Sequence, residues 1–254
     1  MTAAQLTELL ENEVFPQVEK PSRYLGREVN AVYKNAAEVD LRLALAFPDL
    51  YDLGLPNLAI LILYDILNRQ PWIWAERVYA PGLDLEELLR RQKLPLFSLE
   101  SRTPLAQFDA VGFTLQYELC YTNVLNMLDL GGIPVFSAER QEDHPIVLAG
   151  GPGAFNPEPM APFIDAFAIG DGEEMVLDIA VALRETRGMP RAARLRALAE
   201  LEGLYVPALY PTRALDDGTL IPEGPPVRRR VVAPLDQAPV PARPLVPFTQ
   251  QVHD

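Results

Sequence analysis

Glycines and acids gather at the ends of short apolar runs, where a chain can hold something. Ile146–Glu174 reads IVLAGGPGAFNPEPMAPFIDAFAIGDGEE, with glycine closing each of its apolar stretches. Gly150, Gly151 and Gly153 carry no side chain, so the backbone there can turn sharply or lie directly against a flat ligand. Gly170, Asp171, Gly172 and Glu173 repeat the arrangement after the second stretch. Earlier, the loop Asp49-Leu50-Tyr51-Asp52-Leu53-Gly54 and the segment Thr114-Leu115-Gln116 close other apolar runs. Residues of these types suit ligand binding better than covalent catalysis. No serine–histidine–acid set or metal-ligand spacing accompanies them. Cys120 is the lone cysteine, and His144 and His253 are the only histidines. An intramolecular disulfide, a multi-cysteine metal site and a [4Fe-4S] cluster held by this chain are therefore excluded.

These loops need strands beneath them. Leu41–Phe47 ends at Pro48 as a first strand, Glu76–Ala80 is a second, Asp109–Leu115 a third, and Ile146–Ala149 and Ala166–Ile169 a fourth and fifth. Helical patterns separate them. LAILILYDILN after Pro56 is apolar on nearly every side and is expected to lie buried on the sheet, with Pro56 in its first turn. LEELLRRQ follows a capping box of Asp84 and Glu87, and Tyr121, Val124, Leu125 and Leu128 mark a helix stopped by Gly131 and Gly132. Val176, Ile179, Ala180 and Leu183 mark the helix after the fifth strand, and Leu195, Leu198 and Ala199 a further one. Strand and helix alternate throughout, which predicts a doubly wound, flavodoxin- or Rossmann-like five-stranded parallel sheet in the order 2-1-3-4-5. Residues 1–40 form a lead-in, 41–203 the sheet domain, and 204–254 a proline-rich extended connector with prolines at 234, 239, 241, 244 and 247. In such a sheet ligands bind at the carboxyl ends of the strands, where the glycine-bearing loops fall.

The net charge of −13 lacks the basic face needed to grip a nucleic acid backbone, although a local basic patch stays open. Met1–Glu13 is polar rather than a secretory leader, and the longest apolar run, Leu53–Leu63, is broken by Pro56 and Asn57 and is too short to span a bilayer. The expectation is a cytoplasmic protein with no membrane partner.

Asp49, Gly54, Thr114 and the Gly150–Gly151 pair fall where cobalamin-binding domains have a D-x-H-x-x-G loop, an S-x-L-like segment and a Gly-Gly pair. The chain resembles those domains, with Tyr51 where their histidine stands. A phenol is a poor cobalt ligand at neutral pH, so the resemblance implies a cobalamin site without a histidine ligand. GGPGAFNPEP followed by DAFAIGDGEE is similar to the GGP…PE…D…GEGE pattern of amino-terminal domains that precede a radical S-adenosylmethionine (SAM) barrel. From KPSRYLG through AFPDLYDLG and LQYELCYTNVLNMLDL to PLVPFTQQVHD, the whole chain is similar to an uncharacterised group of large radical SAM proteins. The resemblance implies a downstream barrel that holds the C-x-x-x-C-x-x-C motif, the [4Fe-4S] cluster and S-adenosylmethionine, and acts on a small-molecule or RNA substrate. It also implies that Gly170, Gly172 and Glu173 line the cofactor or the domain interface.

Structural readings stand beside these. Asp171 with Glu174 forms a capping box, Asn156-Pro157-Glu158 shapes a turn, Tyr51 packs under its loop, Cys120 is buried and inert, and Arg228–Arg230 is a solvated stretch of connector. Two other functions compete. One is a protein- or RNA-binding module with a degenerate pocket. The other is a nucleotide-binding Rossmann domain, which Asp171, Glu173 and Glu174 disfavour by repelling a pyrophosphate.

Overall fold

A computed structural model describes residues 2–232, 239–241 and 243–248; His253 and Pro234 lie outside them. Helix α1 (Ala3–Leu9), whose capping box joins Thr2 and Gln5, leads into strand β1 (Leu41–Phe47). A short helix α2 (Tyr51–Gly54) and then α3 (Leu58–Asn68) follow. The alternation continues with β2 (Ile73–Tyr79), α4 (Leu83–Gln92), β3 (Ala110–Thr114), α5 (Tyr121–Leu130), β4 (Ile146–Gly150), β5 (Ala166–Ala168), α6 (Gly172–Glu185), α7 (Arg191–Ala199) and β6 (Leu204–Tyr205). A small exposed hairpin of β7 (Thr212–Ala214) and β8 (Leu220–Pro222) lies outside the main sheet.

The main sheet has the order β2-β1-β3-β4-β5-β6. Its first five strands are parallel, in the predicted order, and β6 adds an antiparallel edge through Phe167–Tyr205 and Ala168–Leu204. The fold is thus α/β and doubly wound. Each long strand is buried on both sides, as the crossover helices require. One face packs Ala44, Val111, Phe113, Val147 and Phe167 against the layer that holds α1, α4 and α5. The other packs Leu41, Leu43, Leu45 and Leu148 against α3, α6 and α7.

Several local expectations are corrected. The α3 cap is Asn57, whose side chain accepts from the Ile60 amide at 3.2 Å, so Pro56 stands outside the helix. That helix is not buried all round: Leu58 and Ala59 in its first turn are exposed, because they border open space beside the sheet. At α4 the cap position is Gly82, and the Asp84 carboxylate instead takes the Leu85 and Glu19 amides, tying the amino-terminal segment down. At α6, Asp171 is the cap residue but makes no capping bond, since its carboxylate accepts from the Val232 amide at 2.8 Å. Arg230 is likewise no solvated residue: it pairs with Glu174 at 3.1 Å and Asp178 at 2.6 Å, and its backbone bridges Gly170.

Candidate functional site

A cavity of about 410 Å³ opens between α3 and α6 at the carboxyl edge of the sheet. That size falls within the range of small-molecule sites, roughly 300–1,000 Å³. Its floor is one face of the sheet: Leu43 and Leu45 of β1, Gly112 and Thr114 of β3, Leu148 and Gly150 of β4, and Ala168 of β5. Leu58, Ala59, Ile62 and Leu63 of α3 form one wall, and Met175, Val176 and Ile179 of α6 the other. Gly151, Gly170, Gly172 and Glu173 line the rim. Thr114 and Glu173 bring the polar side chains of this lining, which is otherwise aliphatic, aromatic or bare backbone.

The space exists because small residues recur at period 2 along neighbouring strands. Gly112 stands beside Leu45 and Leu148 in register, and Thr114 beside Gly150. A methyl group added at Gly112 would meet only the Ala44 carbonyl, at 4.0 Å, and one at Gly150 only ordinary contacts with Ala168. Gly112 was not singled out in the sequence. Its signal is a glycine in the interior of a strand, which loses side-chain packing and marks a place where something else approaches the backbone.

Of the residues singled out in the sequence, Thr114, Gly150, Gly151, Gly170, Gly172 and Glu173 come together here. The remainder do not line the cavity. Asp49 accepts from the Leu50 amide and the Tyr117 hydroxyl, both within its own edge of loops. The Gln116 amide donates to the Thr114 hydroxyl. A side chain at Gly54 would strike the rings of Tyr79 and Phe47, and one at Gly153 would strike Leu115. Glycine at 54 and 153 therefore serves close packing.

Gly170 has a second partner. At φ +119° and with the Arg230 carbonyl only 2.1 Å from where a Cβ would lie, it admits the returning connector against the cavity rim. The strap is held by Arg230 N donating to Ile169 O at 2.9 Å and Asp171 N donating to Arg230 O at 3.0 Å.

Tyr51 packs inward. It is buried in α2, its ring meets Tyr79 edge to face at 5.3 Å, and its hydroxyl donates to Glu28 Oε1 at 2.8 Å. Burial, and next the neighbouring Glu28 carboxylate, push the phenol pKa well above its ordinary value. A proton held this firmly leaves no phenolate for a cobalt ion. Glu28 in turn pairs with Arg77 Nη2 at 2.6 Å, and Arg77 Nε with Glu100 at 2.7 Å, all three side chains being withdrawn from water. Burial opposes ionisation of Glu28, but Arg77 and the Tyr51 hydroxyl outweigh it and hold the carboxyl below its usual range. Burial pushes Glu100 the other way, upward, in spite of Arg77. The loop position that resembles a cobalt-ligand site is thus committed to a buried ionic network that ties the lead-in segment to β2.

Cys120 is buried, and burial raises its thiol pKa, so it is a poor nucleophile. Among the described residues no group of three or more histidine, cysteine, aspartate or glutamate side chains is arranged to hold a metal ion. Among them also, no helix is long and apolar enough to cross a membrane.

A family model described as "Radical SAM proteins, N-terminal" matches residues 59–207. This span runs from α3 through β6 and takes in nearly all of the cavity. No curated protein matches the chain.

Proposed function

The chain belongs to the family of radical SAM protein N-terminal domains, and from that premise we propose that it is a cobalamin-binding-like domain which holds the pendant, non-cobalt end of a corrinoid in the cavity beneath α3 and α6. The observation that carries this reading is the glycine-floored apolar cavity itself, since Gly112 and Gly150 leave bare backbone in its floor against which a flat heterocycle can lie. In this reading residues 41–203 form the cofactor domain, and residues 1–40 and 204–254 are the lead-in and the connector toward the radical SAM domain.

The fit is one-sided. The cavity suits an apolar ring, with Thr114 available for a hydrogen bond and Glu173 at the rim for a cationic or hydroxylated group. The cobalt side does not fit, because Tyr51 points away into its bond with Glu28. A bound corrinoid would supply cobalt–carbon chemistry to the radical SAM domain. This chain's part is to bind the pendant group, exclude water from it with the leucines of α3, and fix its orientation. A dinucleotide is disfavoured because Glu173 and Glu174 lie in the first turn of α6 beside Asp171.

The test is an anaerobic, dark titration with hydroxocobalamin and methylcobalamin, read by visible absorbance after desalting. Retained corrinoid with a base-off spectrum is expected, unchanged by Tyr51→Phe and lost in Gly112→Leu, which fills the floor. A protein that retains no corrinoid, or a Gly112→Leu variant that retains it as well as the parent, would refute the reading.

A further inference from the structure

Three segments distant in sequence meet beside the cavity, and two of them meet there through glycine. Arg230 lies against Gly170 in a parallel bridge, donating its amide to Ile169 O at 2.9 Å and accepting the Asp171 amide at 3.0 Å. Gly203, just before β6, accepts the Ile169 amide at 2.8 Å. A Cβ at Gly203 would come within 2.9 Å of Ile169 O, 3.0 Å of Met175 Cε and 3.1 Å of Arg230 Cβ. Met175 lines the cavity from α6, and Gly170, Gly172 and Glu173 line its rim. The loop that seats the connector is therefore the loop that shapes one side of the cavity.

The seat is made mainly of polar contacts. Arg230 pairs with Glu174 at 3.1 Å and Asp178 at 2.6 Å, and the Asp171 carboxylate accepts the Val232 amide at 2.8 Å. Val232 is buried, but Arg228, Arg229 and Val231 around Arg230 are exposed. Ion pairs that reach the surface are weak, and a segment with few buried apolar contacts opens locally at small cost. When Arg230 lifts away, residues 169–171 lose two backbone hydrogen bonds, and α6 loses a cation paired with two of its carboxylates. The rim is then less ordered.

We propose that Arg230 is a positioning residue for the cavity, and that seating of residues 227–232 and occupancy of the cavity favour one another. A ligand that meets an already ordered rim loses less freedom on binding than one that must order it. Linkage makes the effect reciprocal: the factor by which the seated connector tightens the ligand is the factor by which the ligand holds the connector down. Occupancy of the cavity is thereby passed to the connector. The inference rests on the cavity's holding an apolar ligand, and not on that ligand's being a corrinoid.

The experiment uses the 254-residue chain and Nile red, an uncharged apolar dye that fluoresces out of water. Gly112→Leu, which fills the floor, defines the signal from binding elsewhere. Arg230→Ala is expected to bind the dye in the cavity about five- to tenfold more weakly than the parent. In hydrogen exchange, peptides spanning 227–232 and 169–176 should both exchange about tenfold faster in Arg230→Ala, with β1 unchanged. Saturating dye should slow 227–232 in the parent by a factor similar to the loss of affinity. Asp178→Asn, which removes one acceptor on α6 and leaves the connector sequence intact, moves the same readings in the same direction by less. Equal affinity in parent and Arg230→Ala overturns the proposal, as does fast exchange confined to 227–232. A parent that binds no more dye than Gly112→Leu overturns it together with the cavity's role as a binding site. Dye bound with the expected coupling, but no retained corrinoid, supports the proposal and refutes the corrinoid reading alone.

Discussion

The two faces of the sheet are made by the same strands and have opposite fates. Along β3, Val111 and Phe113 belong to the packed layer, while Gly112 and Thr114 between and beyond them floor the cavity. Along β4, Val147 and Ala149 go to the packed face, and Leu148 and Gly150 to the open one. On the packed face Phe167 of β5 is fully buried and stacks on Tyr205 of β6 at 6.1 Å. The corresponding open-face neighbour is Ala168. Alternation in a strand normally separates core from solvent; here it separates a filled core from a space lined by core residues. One face is therefore filled throughout, and the other gives up some packing and leaves a cavity.

The largest effect expected from breaking this contrast is on the filled side. Phe167→Ala removes a ring with no room for neighbours to close over it, and should destabilise the chain by about 3–5 kcal/mol. Urea unfolding followed by circular dichroism measures this. A loss under about 1 kcal/mol would mean that the packed face tolerates voids as well as the open one does.

Next in size is the network that pins the lead-in segment to β2 on the open face. Glu28→Gln leaves Arg77 buried with one fewer charge partner and should cost about 3 kcal/mol at neutral pH. The sign of the pH dependence follows from the depressed pKa of Glu28. Its contribution is fully present above the unfolded carboxyl value of about 4.3 and is lost as pH falls through the lower folded value. Glu100, whose pKa is raised, works against this as pH rises from the unfolded value toward the folded one. In urea midpoints taken between pH 5 and 3, Glu28→Gln should thus lose less stability than the parent. Parallel pH profiles for the two proteins would show that the Glu28 ion pair is not what the folded state gains from this carboxylate.

How much of this could be read in advance depends on how far apart the contacting residues lie. The parallel strands and their order followed from apolar runs alternating with helical periods, all of them local signals. That the glycines at 150, 151, 170 and 172 would share the carboxyl edge, where the cavity opens, was legible because chain direction and strand order place every such loop there. Tyr51 was legible as a departure from a histidine pattern, but its bond to Glu28 joins residues from different segments and leaves no local trace. Asp171 read as half of a capping box for the same reason: its real partner, the Val232 amide, arrives from the far end of the chain. The arginine run at 228–230 gave no sign that Arg230 would meet two acids on α6. The Glu76–Arg77 pair was a signal left unused, since charges inside a strand buried on both faces must find partners.

Gly112 gives the smallest change in stability and the sharpest division between the faces. Glycine in a strand interior lowers stability through its unfolded-state freedom and absent packing, and valine is favoured there. On a packed face the added branch would have to displace neighbours, at about 1–3 kcal/mol. At Gly112 the first added carbon meets only a carbonyl at 4.0 Å, and the branches extend into the cavity. Gly112→Val should therefore leave the urea midpoint unchanged or raise stability by up to about 1 kcal/mol. A destabilisation of 2 kcal/mol or so would indicate that the floor is already closed in solution. A neutral or stabilising result would show that glycine is kept at this position for the space above it, at the expense of the strand that carries it.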